Sequence, residues 1–299
     1  MRRVLVIVYI LLLAVVSISL RAEDLRGRWT ATMNKDAMQL QLMRSSSQFS
    51  HEFAMESLSG LTAAQVNSAT ETPVRFDLVR DAGTMHFEGS FKLRDGVGHF
   101  TFSQNPAYVA SLASMGLSLD SELHGRRYKT PEETLFTLAA IGVTIDYIRA
   151  LQNVGYRTDV AGYVELRIFD VTPAFVTELR TLGLRDLSRQ ELVALKIHGA
   201  SPEFIRAIRA AGVKADAVSS LTALRIHGVT PELVAELRTL GYRDLAVQDL
   251  IAMRIHGVTP SYIRELAAAG YSNVPVRKLI ALRIRGVETR ELEELRKSK

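Results

Sequence analysis

Two hydrophobic periods divide the chain. Up to about Gln104 apolar and polar positions alternate. Val74, Phe76 and Leu78 interleave with Arg75 and Asp77, and Met85, Phe87, Phe91 and Leu93 with His86, Glu88, Ser90 and Lys92. Phe100 and Phe102 interleave with His99, Thr101 and Ser103. A period of two gives each strand one dry and one wet face, the signature of an antiparallel sheet. Asp81-Ala82-Gly83 and Arg94-Asp95-Gly96 supply residues suited to the positive φ of hairpin turns. Arg28–Met33 and Met38–Leu42 read as two further strands, while Ser45-Ser46-Ser47 and the polar stretch Thr62–Thr72 read as loops. The expectation is a small antiparallel β domain of five or six strands in a meander, spanning 24–104.

Beyond Pro106 a much longer period takes over. Its anchor is Gly-Val-Thr-Pro: Gly142-Val143-Thr144, Asp170-Val171-Thr172-Pro173, Gly199-Ala200-Ser201-Pro202, Gly228-Val229-Thr230-Pro231, Gly257-Val258-Thr259-Pro260 and Gly286-Val287-Glu288. The steps are 28, 29, 29, 29 and 29 residues, and Asn105–Gly116 is an earlier partial copy. A fixed period of this length means stacked supersecondary units. Thr or Ser caps a helix and the following proline suits its first turn. Val234, Leu237 and Leu240 then recur at helical spacing until Gly241 stops the helix. This helix A is expected to run about 11 residues. A second segment, helix B, opens on the capping box Ser188-Arg189-Gln190-Glu191 and ends at Gly199. Ile251, Met253 and Ile255 alternate with Ala252, Arg254 and His256, however, which is a strand-like period. The fold class expected is therefore α+β, the β domain followed by a helical repeat array over 105–299. A leucine-rich-repeat-like α/β solenoid is the alternative.

Met1-Arg2-Arg3 precedes the apolar run Val4–Val16 and the small residues Ser17 and Ser19, which describes a secretory signal peptide over 1–22. The alternative is an uncleaved anchor, since Val4–Leu20 sits at the lower end of the ~17–25 residues that span a bilayer. Both place the remainder outside the cytoplasm, periplasmic or secreted, with membrane attachment only if the segment is retained.

Composition narrows the chemistry. The 299 residues include 47% apolar and 23% charged ones, as folded proteins do. There is no cysteine, so disulfides, thiolate metal sites and cysteine nucleophiles are excluded. The net charge of +5 includes Arg2 and Arg3 and is too small to argue for nucleic acid. Thr230 and Thr259 stand where a DNA-binding helix-hairpin-helix has its second glycine, a further argument against DNA. His51-Glu52-Phe53-Ala54-Met55 lacks the second histidine of the zinc-protease pattern. No Gly-x-Ser-x-Gly elbow and no Gly-rich phosphate loop occurs. No cofactor or metal is implied, and the expectation is a non-enzyme; a hydrolase with an unrecognised site is an alternative. Gly27-Arg28-Trp29 is similar to the opening of lipocalins, but about 80 residues cannot wrap eight strands around a ligand cavity. Trp29 is therefore expected in a core.

The most regular polar feature is a ladder. Lys196, Arg225, Arg254 and Arg283 each stand two residues before His198, His227, His256 and Arg285. These eight residues are the candidate binding face for an acidic partner. A structural role competes, because cations near a helix C-terminus complement its dipole and cap its carbonyls, about 0.3–1 kcal/mol each.

The string carried most fully by Ala223–Tyr242 and Ala252–Tyr271 resembles repeats that follow the membrane peptidase part of some bacterial sensors of the BlaR1/M56 metallopeptidase class. The resemblance covers about Pro106–Lys299 and no peptidase motif. It implies an extracytoplasmic accessory or sensing module with a protein partner in the cell envelope. The other expectation kept open is that the repeats support a β domain that binds a small ligand or cell-wall component.

Overall fold

A computed structural model describes residues 25–287 except 36, 45–46, 121, 124–125 and 128–129. The expected signal segment and the polar end Glu291–Arg296 lie outside the described residues. Among those described, no single helix is long and apolar enough to cross a membrane. The chain falls into two compact units that meet in sequence between Ser103 and Gln104, with the turn Arg80–Thr84 grouped with the second.

The first unit is one antiparallel sheet of seven strands. These are β1 (Leu25–Asn34), β2 (Ala37–Arg44), β3 (Ser47–Ala54), β4 (Leu58–Ser59), β5 (Thr72–Arg80), β6 (Gly83–Lys92) and β7 (Asp95–Gln104), in the order β3-β2-β1-β7-β6-β5-β4. Strands β3 and β4 occupy opposite edges, yet only the 3-10 turn Met55–Ser57 joins them. Six interstrand spacings would separate the edges of a flat sheet by about 29 Å. Four Cα steps from Ala54 to Leu58 reach about 15 Å at most. The sheet therefore has to curl, and its dry face becomes an interior.

That interior is filled by aromatic side chains. Trp29 sits at its centre, edge-on to Phe76 and Phe87 with centroids 5.4 and 6.1 Å away, and tilted against Phe91 at 5.6 Å. Its indole N–H is shared between the carbonyls of Glu88 (3.2 Å) and His99 (3.1 Å), so the buried donor is satisfied. Three glycines make the room. A Cβ on Gly98 would lie 2.7 Å from Trp29 Nε1 and 2.0 Å from Glu88 O, and Gly89 and Gly96 are equally tight against the same ring. Trp29 is the core residue its position promised.

Several details differ from the sequence reading. The sheet has seven strands rather than five or six, because β3 and the two-residue β4 add to it. Of the side chains described in β3 only Phe53 is buried, so its apolar alternation is faint. The second hairpin turns on Leu93 and Arg94, at φ 49° and 77°, not on Asp95-Gly96, which belong to β7. A short helix α1 (Ala63–Val66) interrupts the expected loop Thr62–Thr72.

From Pro106 on, the regular structure among the described residues is helical apart from the two-residue strands β8 (Glu122–Leu123) and β9 (Arg126–Arg127). Helices A are α2 (Pro106–Ser114), α4 (Ile145–Asn153), α6 (Pro173–Thr181), α8 (Pro202–Ala210), α10 (Pro231–Thr239) and α12 (Pro260–Ala268). Helices B are α3 (Pro131–Ile141), α5 (Val160–Ile168), α7 (Arg189–Ile197), α9 (Val218–Ile226), α11 (Val247–Ile255) and α13 (Val276–Ile284). Each A helix packs on the A helices before and after it, and each B helix on its neighbouring B helices. Helix A spans nine residues in every copy, shorter than expected, because the last residue before the stopping glycine is already a cap.

The Gly-Val-Thr-Pro anchor is the joint between B and A. In the copy at 228–231, Gly228 takes φ 66° and Val229 N–H donates back to Leu224 O at 2.8 Å. Thr230 Oγ1 then accepts from Leu233 N at 3.2 Å, and Pro231 opens helix A. This is a Schellman stop followed at once by an N-cap. The buried valine supplies the apolar contact of the stop: Val143, Val171, Val229 and Val258 are all inaccessible. Four residues thus end one helix, turn the chain and start the next, with an 81° bend where α3 meets α4.

Helix B is a helix, so the solenoid with parallel strands is not formed. Of the alternating trio, Met253 is buried whereas Ile255 is largely exposed. A strand would have placed them on one face.

Two outcomes follow. Gly98→Ala should lower the unfolding free energy by about 1–3 kcal/mol, with a red shift in the emission of the single tryptophan. Burial raises the Tyr108 and Tyr147 hydroxyls well above the ordinary phenol value near 10; each donates to a junction carbonyl, Val143 O and Val171 O. With the folded value raised, their contribution to stability is complete below pH ~10 and lost as pH rises through the folded value. Absorbance at 295 nm at pH 11 should therefore show fewer tyrosinates in the native than in the denatured chain.

Candidate functional site

The ladder is built at the C-terminal ends of the B helices. Lys196, Arg225, Arg254 and Arg283 occupy the last turn of α7, α9, α11 and α13. Each reaches toward the preceding repeat. Lys196 Nζ lies 5.0 Å from the centroid of Phe175 and 3.1 Å from Asp170 Oδ2. The Arg225 and Arg283 guanidiniums lie 4.9 Å over Phe204 and Tyr262. Arg254 has Leu233 rather than a ring at the equivalent repeat position, and its Nε donates to His227 O at 3.3 Å. The glycine closing the preceding B helix leaves space for the guanidinium. A Cβ on Gly199, Gly228 or Gly257 would sit 3.1–3.2 Å from an arginine nitrogen. These four cations are therefore staples between repeats. They serve the helix end of the neighbour rather than their own.

The aromatic partners were not recognised from sequence. Phe175, Phe204 and Tyr262, and Tyr147 under Arg167 at 5.6 Å, all stand at the third position of a helix A, as does Tyr108. A second set of staples was missed too. Arg180 donates to Val154 O, Arg209 to Leu182 O at 2.6 Å and Ala215 O at 3.1 Å, and Arg238 to Ala211 O at 2.7 Å. Val154, Leu182 and Ala211 are the C-caps of α4, α6 and α8. Their 29-residue recurrence was visible, but a period does not say what a side chain reaches.

The other half of the ladder stays outside. His198, His256 and Arg285 are exposed and His227 is half-buried, each capping its B helix. Between cation and histidine stands an isoleucine that the sequence reading did not assign to a surface. Ile168, Ile197, Ile226, Ile255 and Ile284 are the final residues of α5, α7, α9, α11 and α13, with exposures rising from 51% to 63%. Isolated exposed aliphatics need no explanation, but five in register along a stack form a stripe. Beside Ile197 the surface is concave, lined by Phe169, Phe175, Leu195, Lys196 and Pro202 among others.

One polar trio lies in the sheet. His86 Nδ1 is 2.8 Å from Asp77 Oδ1, and His86 Nε2 is 3.2 Å from Ser103 Oγ, across β5, β6 and β7. Among the described residues, no group of three or more His, Asp or Glu side chains is placed to hold a metal ion.

Comparison of the chain with protein-family models, with curated proteins and with solved structures gave no match in any of the three.

Removing a staple should loosen the array. Arg209→Ala is expected to cost about 1–2 kcal/mol in urea unfolding, since it strips donors from two carbonyls. His198→Ala, on the exposed half of the ladder, should stay within about 0.5 kcal/mol of wild type.

Proposed function

We propose that the protein is a non-catalytic exported module for protein interaction or sensing, and that it holds its partner along the isoleucine edge of the repeat array. The observation that carries this reading is the in-register exposure of Ile168, Ile197, Ile226, Ile255 and Ile284. Aliphatic surface repeated in this way is retained against the advantage of covering or replacing it, as at binding faces. The resemblance to repeats of BlaR1/M56-class sensors points the same way, and the N-terminal apolar segment supports export. His198, His227, His256 and Arg285 border the stripe and belong to the proposed face; Lys196, Arg225, Arg254 and Arg283 hold it in shape. The aromatic filling around Trp29 speaks against a ligand inside the β unit.

A hydrolase is the second reading, favoured by Asp77, His86 and Ser103, whose spacing is that of a nucleophile, base and orienting acid. It ranks lower because the trio lies on the wet face of the sheet, where solvent screens a developing oxyanion. Wild-type protein is expected to give no p-nitrophenyl ester turnover above buffer. Turnover abolished by both Ser103→Ala and His86→Ala would establish the hydrolase instead.

The interaction reading is tested by crosslinked capture from cell envelopes. The triple variant Ile197→Ser/Ile226→Ser/Ile255→Ser should still fold, at a modest stability cost because each side chain is more than half exposed, and should lose the captured partner. Retention of the same partner by that variant would move binding away from the stripe.

A further inference from the structure

Resting on the reading of the isoleucine stripe as an interaction face, we infer that its occupant is an acidic amphipathic helix presented by another protein. Three observations on the repeat edge lead there.

The first is charge. Arg167, Lys196, Arg225, Arg254 and Arg283 stand immediately before the five isoleucines, and Arg285 follows the last. Arg225 and Arg254 remain exposed even while they staple repeats. Asp170 pairs with Lys196 at 3.1 Å and Glu178 with Arg206 at 2.5 Å, while Glu203, kept anionic by hydrogen bonds from its own N–H and from Ser201, stands 3.8 Å from Arg206, so the cations left to face a partner are Arg225, Arg254 and Arg285. An aliphatic line bordered by cations is complementary to an apolar line bordered by carboxylates. A second copy of this chain would bring cations against cations, which disfavours self-association through this edge.

The second observation is shape. The stripe is one side chain wide, and each isoleucine is only about half to two-thirds exposed. Beside Ile197 the surface is a groove lined by Phe169, Phe175 and Pro202, with Lys196, Glu178 and Glu203 as its charged side chains. A groove takes discrete side chains from a polypeptide, whereas a bilayer favours a broad protruding surface.

The third is spacing. Successive B helices pack directly on one another, which sets the isoleucines about 8–10 Å apart. Residues seven apart on an α-helix rise about 10.5 Å, so one apolar residue per heptad meets one isoleucine per repeat. Five repeats then accommodate a helix of roughly 21–27 residues.

The test uses the full chain and synthetic helices about 28 residues long, with leucine once per heptad and glutamate at the flanking positions, followed by fluorescence anisotropy. A matched peptide carries lysine for glutamate, and a third carries serine for leucine. The acidic leucine peptide should bind and the other two should be at least about tenfold weaker. Ile226→Ser/Ile255→Ser in the protein should weaken the acidic peptide by at least about tenfold, with urea midpoints confirming that the variant is folded. Equal, isoleucine-dependent binding of acidic and basic peptides would overturn the acidic partner and leave the stripe as an interaction face. Absence of binding by every peptide, or binding untouched by the isoleucine changes, would overturn both. Isoleucine-dependent binding to anionic phosphatidylglycerol vesicles with no peptide binding would assign the edge to a lipid surface and overturn the inference.

Discussion

A nine-residue helix has too few hydrogen bonds to stand alone in water, and its last carbonyls have no partner within it. Every described helix after α3 is of this length, so the repeat unit exists only through what its neighbours supply. They supply two things. The buried faces, such as Phe204, Ile205 and Ile208 of α8 or Leu192, Val193 and Leu195 of α7, are covered by the helices stacked on either side. The open C-terminal ends are covered by cations from the next repeat, Arg209 and Arg238 over helices A, Arg225 and Arg254 beside the ends of helices B. Each cation completes a helix it does not belong to. Stability is thereby tied to adjacency, as nearest-neighbour models of repeat proteins require.

This division of labour explains why the ladder carries two kinds of residue. The positions before the isoleucines face back along the stack and are occupied by rings and glycine-made space. The positions after them cap their own helix and face solvent. Charge that would otherwise be free for recognition is held in fixed places, at regular intervals, around an aliphatic line. A rigid array of this kind presents its contacts preorganised, so a partner meets little ordering cost on the array's side.

Much of the architecture was legible from sequence because each residue of Gly-Val-Thr-Pro has a local reason: positive φ, burial, capping, and a missing donor that does not matter. The helix B segment was ambiguous for an instructive reason. Ile255 made the segment look alternating, and Ile255 is exposed rather than part of the core. A residue kept for its surface corrupted the pattern that reports burial. The staples were not legible, since nothing in Arg180, Arg209 or Arg238 announces that the acceptor lies 26 to 27 residues earlier. In the sheet, Trp29 was readable as core, but the close approach of Gly89, Gly96 and Gly98 to it is set by tertiary packing. Gly96 even suggested a turn one pair of residues away from the real one at Leu93-Arg94.

The claim that helices A and B are joined by a rigid four-residue stop-and-start is tested most directly by residue-resolved amide hydrogen exchange on the full chain. Ala200, Val229 and Val258 N–H groups donate to Leu195, Leu224 and Met253 carbonyls at 2.8–2.9 Å. The account predicts that these junction amides are protected as strongly as the helix interiors beside them, and that helices of adjacent repeats open together as denaturant rises. Junction amides exchanging at unprotected rates while the helices remain protected would contradict it.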